Sequence, residues 1–369
     1  CGWDDYDESL ISAGGGVFSK SMKSIPLSPE IKTFLDVSVD QMSPTDLVNV
    51  ILKAPVDLIW NGGIGTYVKS TNEGHAEVGD KANDSVRVNG SELRCKVFGE
   101  GGNLGLTQLG RIEYCLKGGA CNTDFIDNAG GVDCSDHEVN IKILLDDVVK
   151  NGDLTGKQRS ELLQGMTDDV SVAVLKNNYE QAQALSLAEF QASSRIGEFG
   201  RYMDKLVRAD QLDIELEFMP DQETLTERRA KKLGLTRPEL AVLISYCKNI
   251  LKQELAVSDL SGELYLAKEV FEAFPKTLVD KFQNKIIDHR LYKELLATQI
   301  TNGLVNHMGI TFVHRLNETT GSTPDEIAKA YITARDIFEF PALWKQIENM
   351  DFKISSKDQM AWMMEIRSQ

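Results

Sequence analysis

The stretch TDFIDNAGGVDCSDHE, residues 123–138, sets an apolar run against Asn-Ala-Gly-Gly and then a charged, helix-starting segment. TDFI has strand composition and is too short for a buried helix. Beyond it Ile141, Leu144, Leu145 and Val148 recur at i, i+3, i+4 and i+7, which predicts an amphipathic helix. Ser135 and Glu138 have the spacing of a capping box at the start of that helix. Gly130 and Gly131 then have two readings. Either they permit a tight turn at positive φ, or their missing Cβ atoms let a flat ring or a ribose approach the backbone.

Two earlier runs share the same design. VDLIW (56–60) precedes Asn61-Gly62-Gly63, and CKVF (95–98) precedes Gly99-Glu100-Gly101-Gly102-Asn103. Three strands separated by chain long enough for crossovers predict a parallel sheet with right-handed connections. All three glycine loops then lie beyond the carboxyl ends of the strands, where open α/β sheets bind ligands. Three Gly-Gly pairs at one edge favour a ligand site over turn chemistry alone. Asn61, Asn103 and Asn128 either tolerate left-handed geometry or offer their amides to a ligand. LGLTQLGRIEYCLKGG (104–119) reads as a helix, with Leu109, Ile112 and Leu116 on one face and Gly118-Gly119 as its stop. Residues 66–93 carry a weaker helical pattern, and Ser43 with Asp46 caps a helix over SPTDLVNVIL.

Past about residue 150 the texture changes. Thr155 with Gln158, Thr236 with Glu239 and Thr323 with Glu326 mark helix starts, and Pro238 and Pro324 sit in first turns. Leu240, Leu243, Ile244 and Cys247 share one face of PELAVLISYCKNILKQEL. The expected fold class is therefore α/β, followed by an all-α helical domain. Residues 1–150 carry that parallel sheet, and 151–369 form a helical support or assembly domain.

The bulk numbers bound the function. A formal net charge of −16 over 369 residues argues against nucleic acid and anionic membrane as partners. No run reaches the roughly 20 apolar residues of a membrane span. The opening CGWDDYDESL is acidic, lacks an apolar core of the signal-peptide kind and has no initiator methionine, so a fragment of a longer cytoplasmic protein is expected. Six scattered cysteines (1, 95, 115, 121, 134, 247) suit a reducing compartment.

Familiar chemistry is mostly missing. Gly99, Gly101 and Leu104 fail G-x-G-x-x-G at the last glycine, Gly63, Gly65 and Val68 fail likewise, and AGGGVF (13–18) follows no clear strand. Cys134 and His137 make a C-x-x-H pair without a second pair, so no metal site is expected. No residue of the chain is assigned a catalytic role.

GEGGNLG (99–105) and TDFIDNAGGVDCSDHE resemble the Glu-Gly-Ala-Asn and Asn-Ala-Gly-Gly-Val…Ser…Glu segments of glutamate dehydrogenases. WDDYDESLISAGGGVFSKSMKSIPLSPE (3–30), APVDLIWNGGIGTYVKS (54–70) and LTRPELAVLISY (235–246) resemble more narrowly the large bacterial NAD-specific enzymes. The resemblance implies oxidative deamination of L-glutamate to 2-oxoglutarate and ammonia with NAD as cofactor, in a homo-oligomer. The resemblance implies that residues 1–150 are the rear part of the catalytic region, an incomplete dinucleotide-binding domain with a partial Rossmann-like parallel sheet, and that 151–369 begin a helical C-terminal domain. By position, Gly101, Gly102 and Asn103 and then Asn128, Gly130 and Gly131 would lie against the nicotinamide and its ribose. Asn61, Gly62 and Gly63 would border the cofactor. Ser135 matches the serine that binds a substrate carboxylate, and Val132 a residue lining the substrate pocket; Glu138 stays structural. The family's catalytic lysine and aspartate, and its G-x-G-x-x-G turn, are expected upstream of Cys1, so the chain alone is expected to be inactive. Two alternatives remain: another amino-acid dehydrogenase with the same loop, or a non-catalytic assembly or regulatory module.

Overall fold

The computed structural model describes Gly2 and residues 5–368, and the chain divides into two compact units, Cys1–Asn128 and Ala129–Gln369. In the first, β1 (Ile25–Pro26) pairs antiparallel with β2 (Gln41–Met42) beside α1 (Pro29–Leu35) and α2 (Pro44–Leu52). β3 (Leu58–Asn61), β4 (Val68–Lys69), α3 (His75–Val78), β5 (Val88–Asn89), β6 (Val97–Glu100), α4 (Gln108–Leu116) and α5 (Asp124–Asp127) follow. β3 runs parallel to β6 in the register Leu58–Val97 to Asn61–Glu100, and β4 runs parallel to β5. The predicted parallel pairing of VDLIW with CKVF therefore stands, with both glycine loops at the carboxyl edge.

Four expectations need correction. TDFI is not a strand: Asp124–Asp127 is a short helix, and Ala120 takes the place beside β6 through a parallel bridge to Val97. The reason lies in Asp124 and Asp127, whose carboxylates accept backbone N–H bonds from Leu104 and Glu100, both at 2.9 Å. Gly130 and Gly131 form no turn, and α6 (Ala129–Lys150) starts at once after Asn128. Ser135 therefore caps nothing. It lies inside α6, where its hydroxyl donates to the Gly131 carbonyl at 3.1 Å. On α4, Leu116 is exposed, and the buried residues are Gly110, Arg111, Ile112 and Tyr114.

The core of this unit joins Val68, Val88, Cys95, Phe98, Leu106, Tyr114 and Cys121. Its most expensive contents are charged. Glu100, fully buried at the end of β6, receives the Arg111 guanidinium of α4 at 2.7 and 2.9 Å and the Leu106 N–H at 3.0 Å. Burial pushes the Glu100 carboxyl above its ordinary range, and the guanidinium opposes that rise. α4 is also tied down by Glu113, which takes bonds from the Thr71 hydroxyl at 2.6 Å and the Ser91 N–H at 3.0 Å. Partial burial would raise its pKa, but bonds from Ser91, Thr71 and Ser70 outweigh burial and hold it at about 2.

The second unit is helical: α6 to α9 are Ala129–Lys150, Gly156–Gln164, Thr167–Ala192 and Ile196–Arg208, and α10 to α13 are Gln222–Ala230, Arg237–Ala256, Ala267–Phe271 and Lys276–Ile287. α14 to α18 are Tyr292–Met308, Phe312–Thr320, Pro324–Ile337, Phe340–Glu348 and Ser356–Ser368. The capping boxes at Thr155, Thr236 and Thr323 form as the spacing predicts. So do the buried faces of Ile141, Leu144, Leu145 and Val148 on α6 and of Leu240, Leu243, Ile244 and Cys247 on α11. α11 packs on α14 and α8. One cap does more than its spacing reveals: Glu239 is buried and also takes the Arg228 guanidinium at 2.6 and 2.9 Å.

Two outcomes follow from these charges. Glu100→Gln leaves the Arg111 guanidinium buried without its main counter-charge, and should lower urea-unfolding stability by about 3–5 kcal/mol. Glu113 has a depressed folded pKa, so its contribution is present above the unfolded value of 4.5 and lost as pH falls from there toward about 2. Urea midpoints measured across that window should fall less steeply in Glu113→Gln than in the parent.

Candidate functional site

The carboxyl edge of the parallel pair is built loop against loop. β3 ends at Asn61, whose carbonyl accepts the Gly102 N–H at 2.9 Å. The close approach fixes Gly102 as glycine, because a Cβ there would sit 2.3 Å from the Gly63 carbonyl oxygen. Trp60 lies across β6, so that Cβ atoms on Gly99 or Gly101 would fall 2.5 and 2.7 Å from its ring. These glycines owe their identity to packing within the protein.

Gly63 and Gly131 differ. A Cβ on either would meet nothing within 4 Å, and neither has a positive φ. No described neighbour demands glycine at either position, and each backbone is open on that side within its own unit. Gly62 makes only ordinary contact with Trp60, and Gly130 only ordinary contact with Val174 and Asn178.

Beyond β6 the chain turns sharply at Leu104, which holds φ at +55°. A left-handed leucine costs about 1–2 kcal/mol. The Leu104 N–H donates to Asp124, and the Arg111 guanidinium grips the other oxygen of the same carboxylate at 3.0 Å. Asp127 accepts the Glu100 N–H on one oxygen and the Asn122 amide on the other, at 2.9 and 2.6 Å. Through these bonds α4 and α5 hold the loop in its strained form. The Asn128 side-chain amide donates to the side-chain oxygen of Asn103, tying the third loop to the second. The Asn61 amide nitrogen is buried and lacks a partner among the described residues.

The structure thus gathers Asn61, Gly62, Gly63, Gly101, Gly102, Asn103 and Asn128 at one edge of the first unit. Gly130, Gly131, Val132 and Ser135 belong to the first two turns of α6 in the second unit, where Val132 is exposed at 69%. Sequence reasoning missed Asp124, Asp127, Arg111 and Leu104, which shape the edge. The two aspartates carried a signal, since acidic residues at i and i+3 suit a first helical turn better than a strand. His137 faces Asp133 at 3.9 Å and the Asn177 amide at 3.5 Å, and among the described residues no group of three His, Cys, Asp or Glu side chains gathers to hold a metal.

Comparison with known proteins gives this edge a family. Residues 1–188 match the model of the bacterial NAD-glutamate dehydrogenase catalytic domain, and 232–369 match that of the glutamate dehydrogenase C-terminal region. Over 364 residues the chain is 56% identical to the NAD-specific glutamate dehydrogenase of Pseudomonas aeruginosa and 52% identical to that of Halomonas elongata, in both cases across 99% of its length. It is 42% identical to the enzyme of that name from Mycobacterium tuberculosis, across 97% of its length. The chain spans only 22%, 23% and 22% of those relatives in turn. With its glycine loops at the carboxyl edge and its matches reaching from residue 1 to residue 369, the chain belongs to the family of bacterial NAD-glutamate dehydrogenases.

Proposed function

We propose that the chain forms one wall of the active site of an NAD-dependent glutamate dehydrogenase, which oxidatively deaminates L-glutamate to 2-oxoglutarate and ammonia. The observation that carries this reading is the open backbone at Gly63, where a side chain would meet no described residue within 4 Å. In this reading β3 and β6 are the rear strands of a Rossmann-like sheet that the remainder of the protein completes, and the NAD-binding part runs to about residue 150.

The residues fit a nicotinamide nucleotide. Asn61, Asn103 and Asn128 bring amide groups to one edge, and Gly63 leaves room for a ring or a ribose. When bound, NAD supplies the acceptor for the hydride that leaves the α-carbon of glutamate. Asn103 and Asn128 orient the nicotinamide and its ribose, with Gly101, Gly102, Gly130 and Gly131 allowing backbone approach, while Asn61, Gly62 and Gly63 border the cofactor. Ser135, which now spends its hydroxyl hydrogen on the Gly131 carbonyl, binds a substrate carboxylate by turning that hydrogen outward. Val132 contributes exposed apolar surface to the substrate pocket. No helix among the described residues is long and apolar enough to cross a membrane. A cytoplasmic homo-oligomer is the assembly that accords with the family, and sedimentation of the full-length protein tests it.

Gly63→Val should leave thermal stability unchanged, because its side chain enters open space, yet weaken NADH binding to the full-length protein by tenfold or so. Gly102→Ala should do the reverse of the first part and lower stability by about 1–3 kcal/mol through its clash with Gly63. A fluorescence titration in which Gly63→Val binds NADH like the parent would remove the cofactor reading and favour a structural module. Ser135→Ala should raise the Michaelis constant for glutamate by the equivalent of about 1–3 kcal/mol, the range for a lost bond to a charged group. An unchanged constant in steady-state assays of the full-length enzyme would end its assignment to the substrate.

A further inference from the structure

Behind the glycine loops two cysteines touch. Cys115 stands in the last turn of α4, and Cys121 follows the Gly118-Gly119 stop, beside Ala120. Their sulfurs lie 3.5 Å apart. Cys121 is only 3% exposed, whereas Cys115 is partly open to solvent and is followed by exposed Leu116 and Lys117. The segment between them turns back through Gly118 at φ of +94°, with the Gly118 N–H donating to the Cys115 carbonyl at 2.9 Å, and this turn brings the two sulfurs face to face. The sulfur of Cys115, and burial after it, hold the Cys121 thiol well above its ordinary range. The more exposed Cys115 is the sulfur that a peroxide reaches first, with Cys121 behind it.

We propose that Cys115 and Cys121 form a peroxide-sensitive dithiol that closes reversibly to a disulfide and resets the loop beyond β6. The Cys115 thiolate attacks one oxygen of hydrogen peroxide. The O–O bond breaks, leaving a sulfenic acid, and the departing hydroxide takes up the proton lost by the thiol. The Cys121 sulfur then attacks the Cys115 sulfur, the S–O bond breaks, and water leaves with the second thiol proton. Two thiols lose two protons and two electrons, and the peroxide is reduced to two waters. In a reducing compartment such pairs are transient and sense redox state.

Both cysteines adjoin groups that set the loop. Arg111 lies one turn before Cys115 on α4, and its carbonyl is 3.9 Å from the Cys121 sulfur. Asn122, Asp124 and Asp127 follow Cys121 and hold Glu100, Leu104 and each other in place. Drawing the sulfurs together shifts the end of α4 against the start of α5, and these two helices hold Leu104 in its strained conformation. The effect on cofactor affinity rests on the NAD reading above; formation of the bond does not.

Two measurements on the full-length protein separate these parts. Trypsin cuts after Arg111, Lys117 and Lys142, so the disulfide would keep fragments 112–117 and 118–142 joined. After treatment with hydrogen peroxide, mass spectrometry should find that joined pair, lighter by two hydrogens and separated by dithiothreitol. It should persist in Cys134→Ser and vanish in Cys115→Ser, whose partly exposed position spares the core. Separate fragments in the oxidised protein, or a pair that depends on Cys134, would overturn the proposal. NADH affinity should fall on the order of fivefold or more on oxidation, recover with dithiothreitol, and stay constant in Cys115→Ser. Equal affinity of the oxidised and reduced forms would refute the coupling. Absence of NADH binding in the reduced parent would instead refute the cofactor reading, with the joined fragments still deciding the disulfide.

Discussion

The buried pair of Glu100 and Arg111 is the constraint on which the first unit depends. A carboxylate with no exposed surface survives only if its lone pairs are filled, and two guanidinium nitrogens with the Leu106 N–H fill them. That requirement fixes the end of β6 to α4. Because the same guanidinium reaches Asp124, it also fixes α5. The loop between Glu100 and Leu106 is left to span two anchored points, and it does so with a left-handed leucine at 104. A strained residue persists only where its surroundings over-determine it, and here three elements do so.

This arrangement explains why the glycines of the edge are not alike. Gly99, Gly101 and Gly102 are demanded by Trp60 and by the neighbouring loop, so their absence of side chains is a packing fact. A side chain at Gly63 or Gly131 would meet no described residue within 4 Å, so packing does not account for glycine at either position. Counting glycine pairs, as the sequence invites, merges two classes that geometry separates. The same charge logic recurs in the helical unit. There Glu239 closes a capping box on Thr236 and simultaneously neutralises buried Arg228, so a local helix start also serves as a tertiary contact.

The elements that were legible in the sequence share a short range. Capping boxes at Thr155, Thr236 and Thr323, and the buried faces of α6 and α11, depend on residues within a turn or two of one another. The parallel pairing of β3 with β6 was legible from apolar runs that end in matching loops. At the candidate site Asn61, Asn103 and Asn128 were singled out because amides beside glycines are conspicuous, and the structure brings the three loops to one edge. Arg111, Asp124 and Asp127 were not, since charged residues in a sequence read as solvated surface until something shows that they are buried.

By itself, then, the sequence determined the two textures of the chain, the helix starts of its second half, the paired strands and the family to which its motifs belong. Only the tertiary structure decided the conformation of residues 123–138. TDFI has the composition of a strand, but its backbone helps form α5 because Asp124 and Asp127 must reach amides 20 and 27 residues away. Once α5 ends at Asn128, the two glycines are free to enter α6 directly, and Ser135 falls inside a helix instead of at its start. Hydrogen bonds to distant backbone groups outweighed a propensity difference of about 1 kcal/mol, and composition carries no record of such partners.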